Sequence, residues 1–219
     1  MLFEKLRAEV LAGNLELPKQ GLVKGTSGNV SGRDPESNLV VIKPSGYRYE
    51  EMTTADMVVV DLEGNVVEGH LKPSVDTATH LYIYRHRPDV NGIVHTHSPY
   101  ATSFAALGQP IPPCLTAAAM LGGEIPLGGY VPIGGEAIGE EIVKKIGQSM
   151  AIIMQNHGVF TIGPNPTVAV KMAVEVEEIA KITHLALSQG QPIILTPEQV
   201  AEVADLYRYR YGQQGQRAK

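Results

Sequence analysis

Gly92-Ile93-Val94-His95-Thr96-His97 begins as an apolar run and ends in polar residues. A short run of this kind, bounded by turn residues, predicts a buried strand that delivers its last side chains to a loop. Ala151-Ile152-Ile153-Met154 repeats the pattern, fully apolar, and runs into Gln155-Asn156-His157-Gly158 before a tight bend and residues 159–162. Working outward, residues 39–42 and 57–62 read as strands, and Asp61-Leu62-Glu63-Gly64-Asn65 turns the second one into Val66-Val67. Amphipathic or breaker-free spacing predicts helices over 3–17, 76–86, 99–107, 135–146 and 167–187, and over 197–207 with Thr196 as N-cap and Pro197 at N1. Gly25-Thr26-Ser27-Gly28-Asn29-Val30-Ser31-Gly32 reads as a loop, and residues 110–132, dense in Gly, Pro and Ala, show no clear period. Helices and strands mix without regular alternation, and neither a dinucleotide fingerprint nor a Walker glycine-lysine pattern occurs. The expected class is α/β: one central mixed or antiparallel sheet with helices on both faces, in a single domain over residues 1–219.

A chain of 219 residues, 43% of them hydrophobic, can bury a substantial core unaided. Its single cysteine, Cys114, excludes a disulfide framework and a Cys-based zinc knuckle. The balance of 18 basic and 23 acidic residues, with no basic tract, argues against nucleic acid as a partner. The apolar runs fall short of a membrane span and residues 1–19 lack a signal-peptide layout, so a cytoplasmic protein without a membrane partner is expected. The 23 Gly and 15 Pro imply many short, shaped loops.

Chemistry concentrates in three histidines. A two-residue period puts His95 and His97 on one strand face. His157 stands at the matching end of another apolar run, although strand order cannot be read from the sequence. Three imidazoles with an open fourth position suit catalytic Zn²⁺, with Mn²⁺ or Co²⁺ as substitutes; the competing reading is hydrogen-bonded structural histidines. His70, His80, His86 and His184 read as surface or core residues. Asp76, at a helix start, is either an N-cap or a carboxylate beside the metal, as ligand or proton carrier. Three segments, Thr26-Ser27-Gly28-Asn29, Lys43-Pro44-Ser45-Gly46 and Lys72-Pro73-Ser74, combine hydroxyls, amides and breakers in the manner of anion-binding loops, against the alternative of ordinary turns.

Together the segments Gly25 to Ser31, Lys43-Pro44-Ser45-Gly46, Val94-His95-Thr96-His97-Ser98, Asn156-His157-Gly158 and Glu175-Val176-Glu177 resemble the class II aldolase and adducin-head family over residues 21–212. The resemblance implies a three-layer α/β/α domain with a mostly antiparallel sheet, assembled as a homotetramer with active sites between subunits. It implies Zn²⁺ on His95, His97 and His157, and a sugar-phosphate substrate held by Asn29, Ser45, Gly46 and Ser74, with Lys43 and Thr26 nearby. Asp76 stands where the family's aldolases carry glutamate. With the Lys72-Pro73-Ser74 loop and the Tyr211-Gly212-Gln213 ending it looks like the epimerases. That implies inversion at C4 of L-ribulose 5-phosphate to D-xylulose 5-phosphate by retro-aldol and aldol steps, with Asp76 and Tyr211 as acid and base. Residues 116–123, however, hold no acid where the epimerases have one, Val75 replaces a serine, and the stretch 126–150 is short, as in the aldolases. The alternative is therefore cleavage of a ketose 1-phosphate such as L-fuculose 1-phosphate, and a catalytically silent anion-binding module is the reading outside enzymology.

Overall fold

The computed structural model describes residues 1–209, so Tyr211 lies outside the described residues. Its strands are β1 Asn29–Arg33, β2 Val40–Ile42, β3 Val58–Val60, β4 Val66–Glu68, β5 Gly92–Thr96, β6 Leu127–Gly128, β7 Ala151–Met154 and β8 Val159–Gly163. They form one eight-stranded sheet in the order β4-β3-β2-β1-β5-β8-β7-β6. Every neighbouring pair is antiparallel except β6 with β7. The helices are α1 Glu4–Lys19, α2 Thr77–His86, α3 Pro99–Leu107, α4 Ala137–Lys145, α5 Pro166–Gln189 and α6 Pro197–Tyr209.

Strand alternation sorts the core into two layers. Val40, Ile42, Val58, Val60, Ile93, Ile152, Phe160 and Ile162 pack against Leu81, Ile83 and Tyr84 of α2 and Ile138 and Ile142 of α4. On the opposite face, Val30, Val41, Val59 and Val94 meet Val10 and Leu17 of α1 and Ala169, Val170 and Ala173 of α5. Ala151, Ile153 and Val159 meet α3 and the rest of α5. Strands β2 and β3 supply six side chains at 0% exposure, which is why they read as unbroken apolar runs rather than alternating ones. Each such burial contributes roughly 1.5–3 kcal/mol.

The caps follow the sequence. Asn165 accepts from Val168 N at 2.8 Å ahead of Pro166 and α5. Thr196 and Gln199 close the start of α6 reciprocally, at 3.3 and 2.9 Å. One expectation fails. Residues 29–32, read as loop, belong to β1, a central strand paired with β2 and β5. Its polar side chains are tolerated inside because they are partnered there: Arg33, 6% exposed, donates to Asn91 Oδ1 and to the carbonyls of Tyr84, Pro88 and Val90. Gly32 leaves room for both flanking helices, since a Cβ there would lie 2.7 Å from Leu6 Cδ1 and 2.7 Å from Pro166 Cγ.

Candidate active site

The sheet order brings the three histidines together. β5 and β8 pair with His95 opposite Phe160 and Thr96 opposite Val159, so the bend before β8 stands beside the end of β5. Asn156 takes a left-handed φ of 56° in that bend, and His157 follows it. Ring centroids lie 4.8 Å apart for His95–His97, 4.8 Å for His95–His157 and 5.4 Å for His97–His157. One ring nitrogen from each falls within 4.8 Å of the others. His95 Nδ1 lies 2.9 Å from the Val159 carbonyl, an acceptor only, which assigns the proton to Nδ1 and leaves Nε2 a lone pair. That Nε2 faces His97 Nε2 at 3.0 Å, and His157 Nδ1 is buried without a partner. Two ring nitrogens facing each other and a third without a hydrogen bond are a donor set that fits a divalent cation. Burial holds His95 down to about 3 against the opposing pull of Asp76, and burial also lowers His97 and His157. All three are neutral near pH 7, the form that ligates. Phe160 stacks on His95 at 4.2 Å and covers its ring.

Gly158 makes the approach possible. A Cβ there would fall closer than 3.0 Å to the Thr96 carbonyl oxygen, 2.7 Å from His97 Cδ2 and 3.2 Å from His95 Cε1.

Beside the histidines, Thr26, Ser27, Gly28, Asn29, Lys43, Ser45, Gly46, Ser74, Val75, Asp76 and Ile133 line the same cleft of about 250 Å³. Of the three loop segments picked from the sequence, all residues line it except Pro44, Pro73 and Lys72, the last of which is exposed. The two Lys-Pro-Ser segments are bound to each other: Pro44 and Pro73 form an isolated antiparallel bridge, closed by Ser45 N to Lys72 O at 2.9 Å and Ser74 N to Lys43 O at 3.0 Å. Those two N–H groups are therefore spent, and the hydroxyls, the Lys43 ammonium and the other loop N–H groups, that of Gly46 among them, are what the cleft can offer an anion. Lys43 is 2% exposed, sits 4.9 Å above the Tyr49 ring and donates to Thr26 O at 3.1 Å. Burial lowers its pKa to about 8, partly offset by Asp76.

Asp76 occupies the N-cap position of α2 but makes no side-chain cap. Its Oδ2 instead accepts from Asn29 Nδ2 at 2.7 Å, and Asn29 also donates to Ser74 Oγ at 3.1 Å. Burial pushes this carboxyl up, but His95, His80, the Asn29 hydrogen bond and His157 outweigh it and hold the group below the usual carboxylate range. Asp76 thus joins the phosphate-type loops to the histidines. His70, His86 and His184 are exposed, while His80, read from the sequence as an ordinary surface or core residue, is fully buried behind Asp76 with Ser31 and Tyr84. Its i, i+4 spacing from Asp76 on α2 was the available signal. Ile133, on a segment without period, carried none.

Among the described residues no helix is long and apolar enough to cross a membrane. Known proteins share this fold. An L-fuculose 1-phosphate aldolase is 33% identical over 95% of this chain and 99% of its own, with a TM-score of 0.91. YgbL from Klebsiella pneumoniae, a candidate aldolase/epimerase/decarboxylase, is 27% identical over 93% of this chain and 99% of its own, with a TM-score of 0.83. The L-fuculose 1-phosphate aldolase from Glaciozyma antarctica PI12 is 27% identical over 92% of this chain and 81% of its own, with a TM-score of 0.79. Residues 8–184 match the class II aldolase and adducin N-terminal domain, and with that match the chain belongs to the class II aldolase and adducin family.

Proposed function

We propose that this chain is a cytoplasmic, Zn²⁺-dependent aldolase that cleaves a ketose 1-phosphate, of the kind represented by L-fuculose 1-phosphate, into dihydroxyacetone phosphate and an aldehyde. The observation that carries the reading is the single cleft in which an anion cradle and three converging imidazoles lie side by side. His95, His97 and His157 would hold the metal, which supplies a Lewis acid for the substrate carbonyl and for the charge that develops beside it. Asn29, Ser45, Gly46 and Ser74, with Lys43 behind them and Thr26 at the edge, bind the phosphate and so fix the carbon chain relative to the cluster. Cleavage of C3–C4 leaves the bonding pair on C3 and requires the C4 hydroxyl to give up its proton as the aldehyde forms. Asp76, which lines the cleft at the junction of cradle and cluster, would accept the C4 hydroxyl proton and return it to C3.

One observation favours a second reading. Asp76 is a methylene shorter than the glutamate of the family's aldolases, as in its epimerases, where the same bond breaks and re-forms on the opposite face of the aldehyde. The test is to incubate the zinc-loaded protein with L-fuculose 1-phosphate and, separately, with L-ribulose 5-phosphate. Dihydroxyacetone phosphate from the first substrate, with no D-xylulose 5-phosphate from the second, is the expected result. Xylulose phosphate without released aldehyde overturns the aldolase in favour of the epimerase, and inertness toward both supports a silent binding module. A homotetramer with sites between subunits goes with either reaction, and Tyr211 would then serve a neighbour's cleft. Deleting residues 208–219 should leave sedimentation and melting unchanged while turnover falls.

A further inference from the structure

Below Asp76 lies a buried polar chain that the reaction as described does not use. His80 is 0% exposed, Ser31 0% and Tyr84 1%. Ser31 Oγ stands 2.7 Å from His80 Nδ1 and 2.8 Å from Tyr84 Oη. His80 Nε2 is buried and has no partner. The hydrogens in this chain can be assigned by satisfaction alone. Among the described residues Tyr84 Oη meets no other side chain, and its backbone contact with Ile93 favours the ionised phenol and so donates to it, which leaves the Tyr84 hydrogen for Ser31 Oγ. The Ser31 hydroxyl then has its own hydrogen left for His80 Nδ1. Nδ1 is therefore an acceptor, and a neutral imidazole must carry its proton on Nε2. Burial keeps the ring neutral, at about 4, with Asp76 pulling the other way. A buried donor without an acceptor is costly, and buried polar groups in folded proteins are as a rule satisfied.

Helix α2 supplies the acceptor. His80 N is bonded to Asp76 O at 3.1 Å, so the two residues are one helical turn apart and share a face. Asp76 Oδ2 is held by Asn29, while Oδ1 has no hydrogen-bond partner among the described residues. Phe160 stands edge-on to His80 at 6.2 Å and stacks on His95 at 4.2 Å, and the charge that acts on the His80 ring is that of Asp76.

We propose that His80 is a positioning residue: its Nε2–H, fixed in that tautomer by Ser31 and Tyr84, donates through one bound water to the Asp76 carboxylate and aims it into the cleft. The consequence for catalysis rests on Asp76 being the proton carrier proposed above; the hydrogen bond does not. Two measurements separate them. In protein labelled with ¹⁵N in its imidazoles, His80 should show the Nε2–H tautomer, with a slowly exchanging ring proton whose resonance moves in Asp76→Ala. An Nδ1–H tautomer, or a ring proton indifferent to Asp76→Ala, overturns the proposal whether or not a substrate is known. In kinetics, His80→Leu should lower kcat about 100-fold, the scale of a misplaced catalytic group, with KM and bound metal unchanged within about twofold. His80→Gln, whose amide N–H lies near the lost Nε2, should recover most of that. A folded His80→Leu with wild-type kcat, or a Gln variant no better than Leu, refutes the positioning role. If His80→Leu does not fold, Ser31→Ala, which frees the tautomer, should show the same kcat loss in smaller degree, and an unchanged kcat there refutes it as well. Wild-type protein inert toward both sugar phosphates would remove the proposed function and leave the imidazole spectrum to decide the hydrogen bond.

Discussion

Replacing Gly158 with alanine adds one methyl group to the only seam through which the histidine cluster closes. The residue's backbone is not in the left-handed region, so the substitution costs no conformational strain and the effect is steric alone. The new carbon would meet His97 Cδ2 at 2.7 Å, and the Thr96 carbonyl oxygen closer still. The oxygen is anchored in the sheet between β5 and β8 and cannot yield. Relief therefore falls on the imidazole and on the bend that carries His157. Ordinary carbon contacts need about 3.4 Å or more, so the His97 ring must retreat by about 0.7 Å. Metal–ligand distances tolerate about 0.2 Å. Overpacking of this size costs roughly 1–3 kcal/mol, which for a chain of this length lowers the melting temperature by about 2–12 °C. Metal affinity, read by competition with a chromophoric chelator, should fall about 10- to 100-fold. Gly135→Ala is the control, because nothing lies within 4 Å of its added carbon, and both readouts should stay at wild type. A Gly158→Ala protein that keeps wild-type metal affinity and melting would refute the claim that this glycine sets the spacing of the cluster.

Removing the metal with a chelator should lower the melting temperature of the wild type and leave His157→Ala unaffected; at a free metal concentration of about 100 Kd the difference in stability is about 2.7 kcal/mol. Lys43 titrates in the folded protein at about 8, below its unfolded value, because burial disfavours the charged form. Between about 8 and 10.5 the unfolded chain binds the extra proton, so stability rises with pH across that window, and the slope should vanish in Lys43→Met. The same deprotonation removes positive charge from the cradle, so KM for a phosphorylated substrate should climb as pH passes 8. Glu177 accepts from Tyr100 N and Ala101 N, both at 2.9 Å, and so caps α3 from the neighbouring α5. Glu177→Ala should cost about 1–2 kcal/mol in urea unfolding, and an unchanged midpoint would show the clamp to be idle.

Much of this was legible in the chain. The strand carrying His95 and the strand leading to His157 stand out because they are buried on both faces and therefore read as unbroken apolar runs. The cradle was legible because its residues are turn formers whose chemistry is local. What escaped is what tertiary pairing creates. β1 holds a single apolar residue, Val30, and is a strand only because its neighbours satisfy Asn29, Ser31 and Arg33. The convergence of the histidines depends on β8 lying beside β5, an order no local pattern encodes. Asp76 read either as a cap or as a carboxylate beside the metal; it holds the cap position, but its side chain is bonded to Asn29 and not to the helix end. His80 was passed over because a histidine within a helical pattern carries no mark of what lies beneath it.

The place of β1 in the sheet bears on how such a protein can diversify. Asn29 reaches the cradle and Asp76, Ser31 reaches His80, and the backbone of the same strand is laddered to that of His95. Five consecutive residues thus tie the loop cleft, Asp76 and the imidazole cluster to one ribbon. A substitution in it would disturb all three together, which leaves the periphery as the place where change is tolerated. Val75 and Ile133, respectively 72% and 75% exposed at the cleft, are such peripheral positions, free to vary without touching the ribbon. A library restricted to these two side chains should therefore alter substrate preference while leaving the contacts of β1 intact, an economy of change imposed by strand order.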